Sequence, residues 1–395
     1  MELLAGPSAA RGTERLPLLD ALGRALAVDV HAPLSLPPFA NSQMDGFAVN
    51  SAEIPDDGAE LWVADPVPAG TAPDALKPGF AIPIMTGAMI PVGADAVIPI
   101  ERAVPDSFPK PNTDAVVRLP HTTAGSYVRP AGSDIAEGAL ALHAGTCLGP
   151  AQVGLMAALG LTAVEVRKPL RVLLVTTGDE VVEPGRELTD GKIYDSNGTL
   201  LEAAMRQAGL EVMRSGISDD DPDALLALLR RHAGSGDQSG SVDLIVTTGG
   251  VSKGAYEVVR QAMAGHHVEF VPVAMQPGGP QGIGRFMGVP FLGFPGNPVS
   301  CLVSFEMFLR PALSAVHGTP APRPVHRAPL AEAVTSPSGK HQVRRGTLLP
   351  DGSVRMEGGA GSHLVHALAR ANALVQLPVD VTELAAGAEV EVWML

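Results

Sequence analysis

A chain of 395 residues is too long for one typical core and is expected to divide into roughly two to four domains. Its net charge of −14, from 42 acidic against 28 basic residues, argues against non-specific nucleic-acid binding, which needs a basic surface. A hydrophobic content of 46% is too high for a disordered chain, and no stretch free of charge, Pro and Gly reads as long enough to span a bilayer.

The N-terminus, with Glu2 and Arg11 around a Gly/Ala/Ser stretch, lacks the basic-then-apolar layout of a signal peptide. Only Cys147 and Cys301 occur, far apart, so neither a disulfide framework nor a Cys-based zinc site is expected, and a cytoplasmic location is. Leu18–Val28 has the apolar spacing of an amphipathic helix, followed by a connector broken by Pro33, Pro37 and Pro38. Phe39–Val49, FANSQMDGFAV, is turn-rich and ends in an apolar run. From Leu61 to Val128 short β-like runs alternate with Pro and Gly: Ala81–Met85, Ala96–Ile100 and Ala115–Leu119. Ile84-Met85-Thr86-Gly87 closes one of these strands. Arg129–Leu142 reads as a loop plus hairpin, and Gly149-Pro150 starts a helix that Gly160 stops. These elements predict a helical body over 1–36 and 126–167, interrupted by a β-rich insertion at 37–125.

From Leu170 to Gly318 strands alternate with helices. Strands read at 170–176, 211–217, 242–248, 268–274 and 290–294, helices at 198–208, 222–232, 255–264 and 298–310. Asp221-Pro222 and Asn297-Pro298 each pair an N-cap with a proline at the first helical position. Such alternation predicts βαβ units, a mostly parallel sheet and a three-layer α/β domain over 168–318. The Pro-rich Thr319–Pro324 is a linker, and the tail of the 319–395 segment carries only short β-like runs, which predicts a β-barrel-like or sandwich domain.

The chemistry concentrates at the strand ends. Leu244–Val246 runs into Thr247-Thr248-Gly249-Gly250, and Val172–Val175 runs into Thr176-Thr177-Gly178-Asp179-Glu180. A buried strand, a glycine turn and a helix aim backbone N–H groups at an anion, and open α/β sheets bind ligands at the carboxyl ends of their strands. Asp219-Asp220-Asp221, Glu180 and Glu257 would bring carboxylates from three strand ends to one crevice, as a Mg²⁺ site needs; one N-cap and solvated carboxylates is the plainer reading. Tyr194-Asp195-Ser196-Asn197-Gly198 and Phe294-Pro295-Gly296-Asn297-Pro298-Val299-Ser300 are helix starts that are either caps or pocket walls. There is no GxxxxGK[ST] loop and no HExxH. His266-His267 and His363/His366 read as solvent or core histidines.

These segments together resemble the MoeA-type molybdopterin molybdenumtransferases, the family that includes the gephyrin E domain. The resemblance runs from about Leu18 to Leu395 and is carried by PPFANSQMDGFAV, IMTGAMIPVGADAVIPIE, RPAGSDI, TTGDEV, IYDSNG, DDDPDAL, TTGGVSKG, FPGNPVS and the late RRG and GSH segments. It implies insertion of molybdate into adenylylated molybdopterin, Mg²⁺-dependent, releasing AMP and molybdenum cofactor. It also implies an elongated homodimer whose active sites draw on both subunits, with molybdopterin adenylyltransferase and molybdoenzymes as contacts and neither nucleic acid nor membrane as partner. Functional positions carried over from the family are Asp45, Thr86, Asp134, Glu180, Arg345 and Ser362, with Asp220, Glu180 and Glu257 as metal ligands. The nucleotide and pterin contacts implied are Thr177, Gly178, Asp195, Ser196, Asn197, Gly249, Gly250, Ser252, Lys253, Pro295, Gly296 and Asn297. The sequence departs from the family at Val271–Pro280, VPVAMQPGGP, where Pro272, Gln276 and Gly279 stand at positions that are commonly lysine. Lys253 and Arg345 are then expected to carry the anion between them, with Arg285 as a further compensating cation. A non-catalytic molybdopterin-binding scaffold and a molybdopterin adenylyltransferase are the competing readings; the replaced lysines favour the first, and the additional N- and C-terminal domains oppose the second.

Overall fold

The computed structural model describes residues 1–110, 114–218, 221–233, 242–251 and 257–395. Two compact units emerge: residues 29–144 with 150–162, and residues 1–28, 145–149 and 163–395.

The smaller unit is built on a five-stranded sheet in the order Ala96–Pro99, Gly46–Val49, Phe80–Ile84, Ala59–Val63 and Val116–Leu119. Phe47, Val49, Leu61, Ala81, Ile98, Val117 and Leu119 close its core. Arg129–Leu142 is not a hairpin. Val128–Arg129 pairs with Asn41–Ser42, and Leu140–Leu142 with Val30–His31, so the two halves of the segment have separate partners. The helix after Gly149 forms over Pro150–Ala158.

In the larger unit the chain begins with a helix, Glu2–Ala10, that the sequence reading did not anticipate. Residues 18–28 correct an expectation: they form turns and bridges, not a helix. Gly23 takes a positive φ of 78° and donates to the Leu148 carbonyl at 2.7 Å, and Leu26 donates to Thr146 at 3.0 Å. Pairing with 145–148 thus overrides a helical apolar spacing, and the region expected to be a helical body mixes two nine-residue helices with short strands.

The α/β part comprises β1 (Arg171–Thr177), α1 (Ser196–Gln207), β2 (Glu211–Ser218), α2 (Pro222–Ala233), β3 (Leu244–Thr248), α3 (Val258–Ala262), β4 (His267–Pro272), β5 (Met275–Gln276), β6 (Pro280–Phe286), β7 (Val289–Phe294) and α4 (Pro298–Ser304). A π-helical turn, Phe305–Leu309, and a last helical stretch, Arg310–His317, continue α4. The sheet runs β2-β1-β3-β7-β6-β4. The first four strands are parallel, and β6 runs antiparallel to both of its neighbours, β7 and β4. Strand residues alternate between faces. Val172 and Leu174 accordingly pack with Leu201 and Met205 of α1 and Cys301 of α4, whereas Leu173 and Val175 pack with Leu225 and Leu229 of α2 and Val258 and Val259 of α3. Helices on both faces explain why β1 reads as a continuous apolar run.

The 20-residue run Pro298–His317 is long and apolar enough to cross a membrane by length and composition only, yet it carries Glu306, Arg310 and Pro311, and 56% of its apolar window is buried, as in a core helix. Its Glu306, 1% exposed, pairs with Arg310 and Arg323.

The C-terminal part adds β8 (Val325–Pro329), β9 (His341–Leu348), β10 (Val354–Met356), α5 (Val365–Arg370), β11 (Ala373–Leu377) and β12 (Glu389–Met394). Its sheet runs β5-β9-β11-β12-β8, with β10 on β9. The edge strand β5 comes from the α/β part and pairs in parallel with β9, Met275 opposite His341 and Gln276 opposite Gln342. This short ladder joins the two parts beside the crevice described next.

Candidate functional site

The carboxyl ends of β1, β3 and β7 open into one crevice of ≈ 1180 Å³. Thr176, Thr177 and Gly178 enter it from β1, Gly249 and Gly250 from β3, and Pro295 and Gly296 from β7. Hydrogen bonds tie the three ends together. Gly249 N donates to the Phe294 carbonyl at 3.1 Å and Thr177 Oγ1 to the Thr248 carbonyl at 3.4 Å. The Cys301 thiol, fully buried, donates to the Pro295 carbonyl at 2.7 Å. Burial pushes that thiol up to about 12, so it stays protonated and keeps its role as donor. Gly249 has no alternative: its φ is +94°, and a Cβ would sit 2.8 Å from the Thr177 carbonyl oxygen.

The start of α1 forms a second wall. Asp195, 1% exposed, accepts from Gly198 N at 2.8 Å and pairs with Arg214 of β2, so its carboxylate is spent on a cap and an ion pair. Asn197 Nδ2 donates to the Gly296 carbonyl, which leaves Asn197 Oδ1 buried and, among the described residues, without a partner. Thr176 Oγ1 is likewise buried and unpartnered. Buried polar atoms without partners are costly. At a crevice wall they suit a ligand that supplies the missing hydrogen bonds.

Glu180 and Glu257 both line the crevice. The Glu180 carboxylate folds back over Gly178, with Oε2 2.7 Å from where a Cβ on that glycine would sit. Among the described residues no group of three or more His, Cys, Asp or Glu converges. The donor chemistry fits Mg²⁺, a hard cation that takes oxygen ligands and commonly uses one or two carboxylates plus substrate phosphate. Asp220, Ser252 and Lys253 lie outside the described residues.

The third wall belongs to β5, the turn that follows it, and the C-terminal loop carrying Gly361, Ser362 and His363. The Ser362 carbonyl accepts from Val299 N at 3.0 Å, which docks this loop on the first turn of α4. Arg345 of β9 corrects an expectation. It is 1% exposed and does not line the crevice. Its guanidinium donates to the carbonyls of Gly361 (3.1 Å), Glu357 (3.4 Å) and Gly359. Burial, reinforced by Arg344, lowers its pKa. Arg345 therefore braces the loop that carries Ser362, and its donors face carbonyls, not an anion in the cleft. Arg285 is also accounted for elsewhere: it donates to Gly288 and Leu3 and pairs with Pro290, at the opposite end of β7 from the crevice.

Asn297 and Ser196 also line the crevice, as does His363, which the sequence reading assigned to solvent or core. Lys340, which the sequence reading passed over, lines it too. The one signal was its place in Ser338-Gly339-Lys340, a turn leading into the alternating run of β9.

Asp45, Thr86 and Asp134 belong to the smaller unit, whereas every described lining residue of the crevice belongs to the larger. Asp45 and Thr86 meet. Asp45 Oδ1 accepts from Thr86 N at 2.7 Å and from Thr86 Oγ1 at 2.8 Å. The backbone bond, then the hydroxyl bond, hold the Asp45 carboxyl below its usual pKa, so it is an exposed, firmly ionised carboxylate. Asp134 is exposed, with its N–H on the Leu36 carbonyl at 2.9 Å.

A crevice at parallel strand ends, with glycine turns, orphaned polar atoms and two carboxylates, defines an α/β protein with a strand-end ligand crevice. Comparison with known proteins narrows this class. Three family models match consecutive segments: the MoeA N-terminal region (domain I and II) over residues 2–160, a probable molybdopterin binding domain over 173–315, and the MoeA C-terminal region (domain IV) over 327–395. A molybdopterin molybdenumtransferase 2 of Mycobacterium tuberculosis (strain ATCC 25618 / H37Rv) is 45% identical over 394 residues, covering 96% of this chain and 94% of the relative. A molybdopterin molybdenumtransferase of Synechococcus elongatus is 35% identical over 395 residues, with the same coverage. The crystal structure of a molybdopterin biosynthesis moeA protein from Pyrococcus horikoshii OT3 superposes with a TM-score of 0.84 at 27% identity, over 100% of this chain and 98% of that one. The chain belongs to the MoeA family of molybdenum cofactor biosynthesis proteins.

Proposed function

We propose that this protein inserts molybdate into adenylylated molybdopterin, releasing AMP and molybdenum cofactor. The observation that carries the proposal is the strand-end crevice, in which two carboxylates, glycine turns and unpartnered polar atoms of Thr176 and Asn197 share one cavity. The glycine turns at Gly178 and Gly249-Gly250 let phosphate approach the backbone. Asn197 Oδ1 and Thr176 Oγ1 offer hydrogen bonds to the heterocycle or its phosphate. Ser362 faces the same space on a loop braced by Arg345.

Glu180 and Glu257 are the residues that would hold Mg²⁺, with Asp220 as a third ligand drawn from the sequence. The cation neutralises phosphate charge when bound. Molybdate is substrate, not resident metal. The chain is further proposed to work as a cytoplasmic homodimer in which Asp45 and Thr86 are supplied to a partner's crevice, with the adenylyltransferase that makes its substrate and the molybdoenzymes that receive its product as contacts. The proposed division is a body over 1–36 and 126–167, an insertion at 37–125, the α/β domain at 168–318 and a C-terminal domain at 319–395.

The test is AMP release by the purified chain from adenylylated molybdopterin, with and without molybdate and Mg²⁺. Molybdate- and Mg²⁺-dependent release is expected. Binding of the nucleotide without release would favour a non-catalytic molybdopterin binder. Sedimentation at the monomer mass of 40.7 kDa under assay conditions would remove the shared-site assignment of Asp45 and Thr86.

A further inference from the structure

Among the described residues Lys340 is the one Lys or Arg that lines the crevice, and the carboxylates of Glu180 and Glu257 share that lining. A doubly charged oxyanion entering such a space in a −14 chain needs a cation beside it. Lys340 forms no ion pair or hydrogen bond among the described residues, so its ammonium is uncommitted. Its backbone is placed by the ladder that follows it: His341 N donates to the Ala274 carbonyl at 2.9 Å, and His341 stands opposite Met275 on β5. The side chain therefore starts beside the wall formed by Gln276, Gly278 and Gly279. That wall offers no charge of its own. Gln276 Oε1 accepts from Gln342 Nε2 at 2.7 Å, and the two glycines have no side chain.

We infer that Lys340, on the C-terminal domain, is an oxyanion-binding cation of this crevice, in place of a charge on the β5 wall. This inference rests on the function proposed above and adds a residue and a specificity to it. A flexible ammonium reads charge and not shape, so the same residue accepts other tetrahedral dianions of similar size, tungstate among them.

The wall itself provides the control. A Cβ on Gly279 would lie 3.4 Å from the Val273 carbonyl and 3.6 Å from that of Met275, ordinary contact distances, and the backbone there is not left-handed. Gly279→Lys should therefore be accepted and place an ammonium on the turn between β5 and β6 that forms this wall.

The experiment measures AMP release by the full chain while molybdate and adenylylated molybdopterin are varied separately. Lys340→Ala is expected to raise the molybdate KM about tenfold, the lower end for one charge-assisted contact because the lysine is exposed. The KM for adenylylated molybdopterin should stay unchanged. Lys340→Arg should remain near wild type, and Gly279→Lys added to Lys340→Ala should restore molybdate affinity. An unchanged molybdate KM in Lys340→Ala, or an equal rise in both KM values, overturns the inference while leaving the proposed function standing. A wild-type protein that releases no AMP overturns the function instead; calorimetric titration of wild type and Lys340→Ala with molybdate alone then still tests Lys340, and equal affinities refute it.

Discussion

Replacing Arg345 separates two roles that the same loss of activity would otherwise confuse. The guanidinium is 1% exposed and braces the 357–361 loop through three carbonyls, one of them at the long distance of 3.4 Å. In Arg345→Met the volume is roughly kept and the donors are lost. Two good hydrogen bonds from a charged group are worth about 1.5–3 kcal/mol each. Relief from holding a buried charge offsets part of that sum, so a net destabilisation of about 2–4 kcal/mol is expected, read from urea unfolding. Amide exchange across 357–362 should quicken, and AMP release should fall because Ser362 is no longer held at the crevice. Arg345→Lys should recover little, since one ammonium cannot reach three carbonyls that a planar fork spans. An Arg345→Met protein with the unfolding midpoint and loop exchange of wild type, yet no AMP release, would refute the bracing role and put the guanidinium on the ligand.

Gly249→Ala combines a left-handed φ of +94° with a 2.8 Å contact to the Thr177 carbonyl, so a loss of about 2–3 kcal/mol in stability is expected, together with weakened binding of AMP measured by calorimetry. His317 is 3% exposed and lies 2.9 Å from Ser8; burial first, then Arg167 and Arg24, lower its pKa to about 4 from 6.5. Because the unfolded chain takes up the proton first, the stability that this neutral imidazole contributes is complete above about pH 6.5 and is lost as pH falls towards 4. The integral is on the order of 3 kcal/mol. His317→Gln should flatten the stability profile across that window, and an unchanged slope would contradict the assignment. Glu180→Gln should weaken the Mg²⁺ dependence of AMP release with the fold intact by circular dichroism; an unaltered Mg²⁺ titration would remove Glu180 from the metal set.

The α/β strands were legible because burial on both faces leaves a plain mark: Val172–Val175 and Leu244–Val246 have no polar alternation to misread. Strand β6 was missed for the opposite reason. Its sequence, PQGIGRF, looks like a turn, but Gly284 leaves room for the His267 carbonyl, whose oxygen would lie 2.0 Å from a Cβ. The glycines here permit close strand pairing and do not mark a loop. Residues 18–28 were misread because a helical apolar spacing says nothing of the bridges to Cys147 and Val166 that claim this backbone. At the site, the strand-end turns announced themselves through Thr-Thr-Gly. Lys340 did not, since what makes it a wall of the crevice is the pairing of β5 with β9, across 66 residues between Gln276 and Gln342. Arg345 sits in a recognisable RRG segment, but no spacing reveals that its donors face backward into a loop.

The two-residue strand β5 also bears on how freely this chain can exchange parts with its relatives. By sequence the C-terminal domain starts after the Pro-rich Thr319–Pro324, an inviting place to cut and splice. The edge of its sheet, however, is Met275-Gln276, encoded some forty residues earlier, and Gln276 is matched to Gln342 across the ladder. A chimera joined at the linker would set a foreign β9 against this β5 and leave one amide facing a side chain it was not paired with. The true module is discontinuous: residues 273–279 travel with the tail, and a hybrid that moves both segments together keeps the crevice wall whole.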